Sequence, residues 1–385
     1  MRDEIRALTA ESARAWFDQD PEIMVRRMNE PGRERRPAVV ALRRAGRLIC
    51  VAPLYVQREN LPLRISVVKL PSPRARILRL YGRDFIFAPG IERPACYQRV
   101  LDAIGTGAVS ADLIYLAEIT EESGLWQYVQ TSDSSVTGWH RRTTTGKEQK
   151  ILQGELGESH EAWFKSLGKE TRRMYRRKLG KLRKELSGSS GAASGAGDGR
   201  IELRRYTRPD QVGEFLASLD RVFPRTWQAR TFGIRPRDTA FDRHLLSKAA
   251  EMGWLRCYVL FAGDTPLSFQ LGYHYHGIYH AEEIGYDQAW YEYSPGFLLI
   301  AMMIEDMYKN DRPEVIDWGF GEGAYKQRVS TRESPAHSLY LVRPSPWLAL
   351  IELQRGLNVV YRQVRALAER YEIDQQLRRW LKRKR

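Results

Sequence analysis

Cysteine is scarce in this 385-residue chain: only Cys50, Cys96 and Cys257 occur, far apart and odd in number. With no C-x-x-C pair, neither a disulfide framework nor a thiolate metal site is expected, and the compartment reads as reducing. The stretch from Met1 to Asp20 is charged every few positions and lacks the apolar stretch, about 7–15 residues long, of a secretion signal. The longest wholly apolar run, Phe297 to Ile304, is eight residues, where about 20 are needed to cross a bilayer. These absences point to a cytoplasmic protein. Glycine and proline, 30 and 18 residues, follow no collagen-like period, which excludes a fibrous chain.

Core-forming residues are abundant. The chain is 43% hydrophobic with 10 Trp, 19 Tyr and 12 Phe, and its length exceeds what one core usually supports, so two domains are expected. The net charge of +15 is concentrated in two places: Glu161 to Leu186 holds ten Lys/Arg against three Glu, and Arg343 to Arg385 holds eleven against four acids. In the first segment Tyr175, Leu179, Leu182 and Leu186 recur at helical spacing. One face of that helix docks on the body, and the Arg and Lys residues around it either face solvent or cradle an anionic substrate. In the second segment Ser345-Pro346 opens a helix whose Leu350, Leu353, Leu357, Val360, Val364, Leu367 and Tyr371 alternate at spacings of 3 and 4. Packing on its own domain is the first expectation for this stripe. A homodimer seam is the second, and contact with an anionic membrane surface, aided by Trp347, Trp380 and Lys382 to Arg385, the third.

The organisation reads as mixed α/β, of α+β character. Ser187 to Arg200 has twelve Gly, Ser or Ala in fourteen residues and reads as a flexible insert. Thr143 to Gly154 interrupts the apolar pattern, which divides the chain into 1–150, 151–343 and a basic C-terminal helix, 344–385. In the first part Ala38 to Leu42 and Arg47 to Val56 read as a hairpin about Ala45-Gly46, Tyr97 to Ile104 as helix and Leu113 to Ala117 as strand. In the second, helices are expected at Pro209 to Phe223 and at Asp238 to Met252, the latter capped by Asp238. Strands follow at Trp254 to Phe261, Pro266 to Tyr275 and Ile278 to Tyr286, with turns at Gly263-Asp264 and His276-Gly277. A helix from Pro295 to Tyr308, a strand at Val315 to Trp318, a short helix near Tyr325 and a strand at Ser338 to Val342 complete it. A weak two-fold repeat is an expectation that the residues alone do not demonstrate.

Chemistry is expected where strand, loop, helix and strand succeed one another. Ser294 is placed as N-cap and Pro295 as the first helical residue, so the N–H groups of Gly296, Phe297 and Leu298 would point out of the helix end and favour an anion. A turn at His276-Gly277 puts Tyr273, Tyr275, His280 and Glu282 on one sheet face and His274 on the other. That makes His280 and Glu282 alternative general bases and argues against a histidine metal cluster; no metal is expected.

Gly285-Tyr286-Asp287, Ser294-Pro295-Gly296, Asp317-Trp318-Gly319-Phe320-Gly321 and Tyr325-Lys326, in that order, resemble the acetyltransferase family of bacterial cellulose and exopolysaccharide loci, a branch of the GCN5-related N-acyltransferases. The basic helix from Thr171 to Lys184 and Arg225-Thr226-Trp227 fit the same pattern, which spans about Glu158 to Val342. The resemblance implies two tandem units, as in the related peptidoglycan aminoacyl transferases, with acetyl-CoA or another acyl-CoA held by the second. The donor's pantetheine would lie between two splayed strands and its pyrophosphate on the helix opening at Ser294, Gly296, Phe297 and Leu298. Tyr291 to Gly296 departs from the superfamily's Gln/Arg-x-x-Gly-x-Gly/Ala signature, and Pro295 removes one donor. In this frame Tyr325 protonates the leaving thiolate, Lys326 binds donor or substrate anions, and Asp317 positions the Gly319–Gly321 loop. Arg172, Arg173, Arg176, Trp227, Tyr273, Asp287 and Asp317 are assigned to the acceptor's surroundings. The expected function is N-acylation of an amino sugar, a lipid-linked precursor or another small amine. The alternatives are an aminoacyl-tRNA donor, which alone would bring in nucleic acid, and a non-catalytic scaffold in polysaccharide assembly.

Overall fold

The structure, a computed structural model, describes residues 1–12, 15–66, 68–131, 138–144, 149–189, 200–232, 239–321 and 323–370. Most of the Gly/Ser/Ala insert, Asp238, and the tail with Tyr371, Trp380 and Lys382 to Arg385 lie outside the described residues.

The architecture is mixed α/β, built on one large sheet. Its strands are β1 (Arg35–Pro37), β2 (Leu54–Asn60), β3 (Arg74–Leu80), β4 (Leu113–Thr120), β5 (Gln149–Glu155), β6 (Ile201–Tyr206), β7 (Cys257–Ala262), β8 (Thr265–Tyr275), β9 (Ile278–Tyr286), β10 (Val315–Phe320) and β11 (Arg332–Val342). They lie side by side as β1-β2-β3-β4-β11-β5-β10-β9-β8-β7-β6, and His140–Thr143 adds a short strand to β11. The helices that matter to the site are α1 (Pro21–Met28), α2 (Arg93–Gly105), α3 (Lys169–Ser189), α4 (Pro295–Asn310), α5 (Ala324–Val329) and α6 (Pro346–Arg370).

Strand order reveals the repeat that the residues alone did not. In the first half β2 pairs antiparallel with β3, α2 follows, and β4 returns parallel to β3. In the second half β8, β9, α4 and β10 repeat that path. The halves then exchange their closing strands. β5, after the first half, pairs with β10 of the second, and β11, ending the second, pairs with β4 of the first. β5 and β11 also pair with each other, so the sheet runs unbroken through the join. A cut between residues 150 and 151 passes through β5.

Packing follows apolar pattern. The helices Val212–Val222 and Ala240–Glu251 bury Phe215, Leu219 and Leu246 against Val259, Phe269 and Leu271 on one face of β7 and β8. The opposite face carries α4, with Leu182 of α3 completing the layer. The apolar run Phe297 to Ile304 is thus a central helix, apolar nearly all round because protein covers nearly all of it. Among the described residues no helix is long and apolar enough to cross a membrane.

Three local expectations are corrected. Arg47 to Val56 is not one hairpin arm. Pro53 has no N–H to give a ladder, and the chain divides there, Arg47–Ala52 joining a separate three-stranded sheet and Leu54–Asn60 the large one. The helix at Ala240 is capped by Thr239, whose hydroxyl accepts the Asp242 N–H at 3.1 Å. The stripe of α6 does not fold back on its own domain along its length. Its opening turns anchor the helix: Trp347, Leu350 and Ile351 pack with Leu61, Leu63 and Tyr340, and Gln354 and Asn358 donate to the Arg64 carbonyl. Leu353, Leu357, Val360, Val364 and Leu367 face solvent.

Gly285 has a packing reason to lack a side chain. A Cβ there would lie 2.5 Å from a Phe269 ring carbon and 2.9 Å from the Thr226 methyl. Gly285→Ala is expected to destabilise the protein by about 1–3 kcal/mol through overpacking, read as a lower urea midpoint; an unchanged midpoint would contradict so close an approach of Phe269 and Thr226.

Candidate active site

The site begins where a ladder stops. β9 and β10 pair in parallel at Ile278 with Val315, Tyr279 with Ile316 and His280 with Asp317, and no further. Beyond His280 the two strands share no ladder pairs, and α4, which follows β9, opens with Gly296 against Tyr286 at the end of β9. On the other side of β9 the register with β8 slips: Leu271 faces Glu283 and Gly272 faces Ala281, which leaves Glu282 as the extra residue of a bulge. A bulge re-aims the side chain it carries. Gly272 is obligatory beside it, because a Cβ there would collide with the Tyr279 hydroxyl.

Glu282 and His280 line a cavity of about 440 Å³ formed by both halves, together with Asp317 and, from the first half, Arg83, Glu118 and Tyr81. Arg83 Nη1 donates to Asp317 Oδ2 at 2.5 Å, and the Gly319 N–H donates to Asp317 Oδ1 at 2.7 Å. Arg83 Nη2 is 3.7 Å from Glu118, and Arg27 of α1 bridges Asp18 at 2.7 Å and Glu282 at 3.4 Å. Burial pushes the Asp317 carboxyl up, but the Arg83 charge and these hydrogen bonds outweigh it and hold the group below its usual range. Glu118 goes the other way, burial raising it against the attraction of Arg83. His280 is pushed down to about 4, first by burial, so it is neutral at physiological pH, and its buried Nε2 has no hydrogen-bond partner.

The helix tip differs from expectation. Ser294 occupies the N-cap position of α4, but in a left-handed conformation (φ 52°) and with no cap bond from its hydroxyl. Its carbonyl accepts both the Phe297 N–H, at 3.0 Å, and the Leu298 N–H, at 3.1 Å. Of the three amides expected to point outward, only that of Gly296 remains: the Leu298 bond is the ordinary helical one to the N-cap carbonyl, and the Phe297 bond tightens the first turn onto Ser294. Gly296 itself lies against Tyr286, whose ring a Cβ would meet at 3.4 Å. Beside the tip, Lys178 and Lys181 of α3 donate to Glu292, one to its carbonyl and one to its carboxylate. Tyr325 and Lys326 stand on α5, just past β10. Burial raises the Tyr325 hydroxyl to about 12, so it keeps its proton at neutral pH, and Lys326 donates to the Phe320 carbonyl at 3.2 Å.

The remaining expected residues are scattered. Tyr273 is 1% exposed and stacked on Phe17 at 3.8 Å, a core position. Asp287 is buried, accepting the Ala289 N–H and pairing with Arg225. Trp227 is exposed, next to Gln228, which donates to the Ile284 carbonyl of β9. Arg172, Arg173 and Arg176 lie along α3, Arg172 donating to the Lys165 carbonyl and Arg176 over the Phe164 ring. Arg83, Glu118, Arg27, Asp18 and Tyr81 were not foreseen. The signal for Arg83 was present as an echo: Gly82-Arg83-Asp84 before α2 repeats the Gly-x-Asp pattern of Gly285-Tyr286-Asp287 before α4.

A histidine held below its usual value favours the fold in its neutral form. That contribution is complete above the unfolded value of 6.5 and is lost as pH falls towards 4. Melting temperature should therefore drop more steeply over this interval in the wild type than in His280→Gln; parallel curves would refute the buried neutral histidine.

Comparison with known proteins accords with this geometry. Residues 169–327 match the model of the acetyltransferase (GNAT) domain. Among solved structures, FemX superposes with a TM-score of 0.62 at 12% identity, over 91% of this chain and 98% of that one. The C-terminal domain of a putative lysylphosphatidylglycerol synthetase from Agrobacterium fabrum gives 0.49 at 13% identity, over 92% and 96%. A tandem GNAT protein from the clavulanic acid biosynthesis pathway gives 0.45 at 12% identity, over 90% and 95%. No curated protein matches the sequence. Residues 169–327, which span the splayed strands and the helix between them, are thus similar to the acetyltransferase (GNAT) domain, and the doubled fold around them is shared with FemX.

Proposed function

We propose that the protein transfers an acyl group, most simply acetyl, from coenzyme A to a primary amine on an amino sugar, a lipid-linked precursor or a similar small acceptor, in exopolysaccharide or cell-envelope assembly. The observation that carries this reading is the end of the β9–β10 ladder at His280 and Asp317, which line a polar cavity, with α4 opening against the end of β9. The donor fits there in part. Gly296 supplies an amide and a bare Cα, and Lys178 and Lys181 supply positive charge beside Glu292, but the tip has fewer free amides than a pyrophosphate usually meets.

In this arrangement the acceptor amine enters from the cavity. Glu282 takes its proton as the nitrogen attacks the thioester carbonyl, and the C–S bond breaks as the C–N bond forms. Tyr325, still protonated, returns a proton to the departing thiolate. Neutral His280 accepts or donates one hydrogen bond to the acceptor and carries no charge to repel an ammonium.

Acetyl-CoA should raise the melting temperature of the wild type, and Gly296→Asp should abolish the rise by placing a carboxylate at the tip; no rise at millimolar donor would reject the donor assignment. Glu282→Gln should lower kcat by roughly 10²–10⁴, the usual worth of a positioned base, with the donor's KM unchanged, in an assay of free thiol release.

The sparse amides of the α4 tip and the exposed basic surface of α3 favour one second reading, an aminoacyl-tRNA donor. RNA affinity that falls steeply with salt, beside indifference to coenzyme A, would select it.

A further inference from the structure

The cavity between the halves carries information about its ligand that the acyl-transfer reading does not use. Four carboxylates, Asp18, Glu118, Glu282 and Asp317, line it against three guanidinium groups. Every one of those guanidinium groups is already engaged. Arg27 holds Asp18 and Glu282, Arg35 holds Glu30 at 2.9 Å, and Arg83 holds Asp317 and Glu118. A phosphate or carboxylate entering here would find no uncommitted cation among the described residues that line the cavity, and it would meet an excess of negative charge.

Glu118 lies 3.7 Å from Arg83 Nη2 and Glu282 3.4 Å from Arg27 Nη2, against 2.7 Å for Asp18 and 2.5 Å for Asp317 from their guanidinium partners. Glu118 and Glu282 come from different halves and repel each other across the cavity. Both are aimed by irregular backbone: Glu282 is the extra residue of its bulge, and Glu118 sits within β4 at φ 55°, a left-handed conformation that a side chain adopts only under constraint. A cation between them would relieve the repulsion.

A separate observation specifies the rest of the ligand. Tyr81 lines the same cavity, is 5% exposed, and its buried hydroxyl has no hydrogen-bond partner. The His280 Nε2 on the facing strand is likewise buried and unpartnered. Buried polar atoms are ordinarily satisfied, so two orphans in one cavity call for hydroxyl-type partners. Accordingly, we propose that this cavity binds a hydroxyl-bearing primary ammonium compound, an unphosphorylated amino sugar being the fitting class, with Glu118 and Glu282 clamping the ammonium group and Tyr81 and His280 bonding the hydroxyls. This assignment rests on the acyl-transfer reading only for calling the ligand an acceptor.

Isothermal titration of the full chain at pH 7 with D-glucosamine, D-glucose and propylamine tests it. Glucosamine should bind about tenfold tighter than either of the others, the worth of a charge-assisted hydrogen bond. Glu118→Gln should weaken glucosamine by about the same factor and leave glucose unchanged. Tyr81→Phe should weaken glucosamine and leave propylamine unchanged. Equal affinity for glucose and glucosamine in the wild type, or no glucosamine binding at all, overturns the proposal without recourse to any variant. The acetyl-CoA melting shift, measured in parallel, separates the two ideas. A shift without amino-sugar preference sinks the clamp alone, and amino-sugar preference without a shift sinks the donor assignment alone.

Discussion

Arg83 and Asp317 meet at the centre of this molecule, 234 residues apart in sequence, and the arrangement of the site depends on their contact. Asp317 makes the last ladder pair with His280 and turns the chain at Gly319 by accepting its N–H. Arg83, just past β3, reaches across the join to hold that carboxylate while standing near Glu118 on β4. Burying such a pair costs desolvation energy that its mutual attraction roughly offsets, so its contribution to net stability is small. Its effect is positional: it sets the separation of the two halves and fixes the wall of the cavity between them.

The strand exchange explains why a site can lie on this seam. Because β5 and β11 each serve the other half, neither half completes its sheet without its partner, and the cavity walls are held by a continuous ladder rather than by two docked surfaces. Irregularities are confined to the places where the ladder would otherwise run on. The bulge at Glu282 and the left-handed Glu118 border the region where β9 and β10 diverge or where β4 meets β11, and the left-handed Ser294 opens α4. Strain of this kind persists only where the surroundings over-determine it, as they do in a sheet this wide.

The doubled topology also gives the first half a role. Its Asp84 is buried before α2 much as Asp287 is before α4, with the Tyr97 hydroxyl donating to it at 2.8 Å and the Phe85 N–H at 2.7 Å. Burial raises the Asp84 carboxyl to about 6. The same strand–helix–strand unit has thus been kept twice, and in the first half its Gly-x-Asp turn presents Arg83 to the other half instead of opening beside a gap.

Much of the second half was legible because local rules decide it. The His276-Gly277 turn has both residues at positive φ, which fixes the register that puts Tyr273, Tyr275 and His280 where they are, and the wholly apolar opening of α4 needs cover on every side. The arginine-rich β3 was not legible, since Arg76 and Arg79 are neutralised laterally by Asp112 and by Glu59 on the neighbouring strand. Nor was the tip of α4, where the Ser294 carbonyl accepts the Leu298 amide in the ordinary helical bond and the Phe297 amide in a tighter one. The sequence by itself determined which segments are strands, turns and buried helices in the second half, because periodicity and turn chemistry act over a few residues. Only the tertiary structure decided that Arg83, Glu118 and Tyr81 join His280 and Glu282, because ion pairs and cavities form between residues that the chain separates by about half its length, and no short-range pattern encodes that meeting.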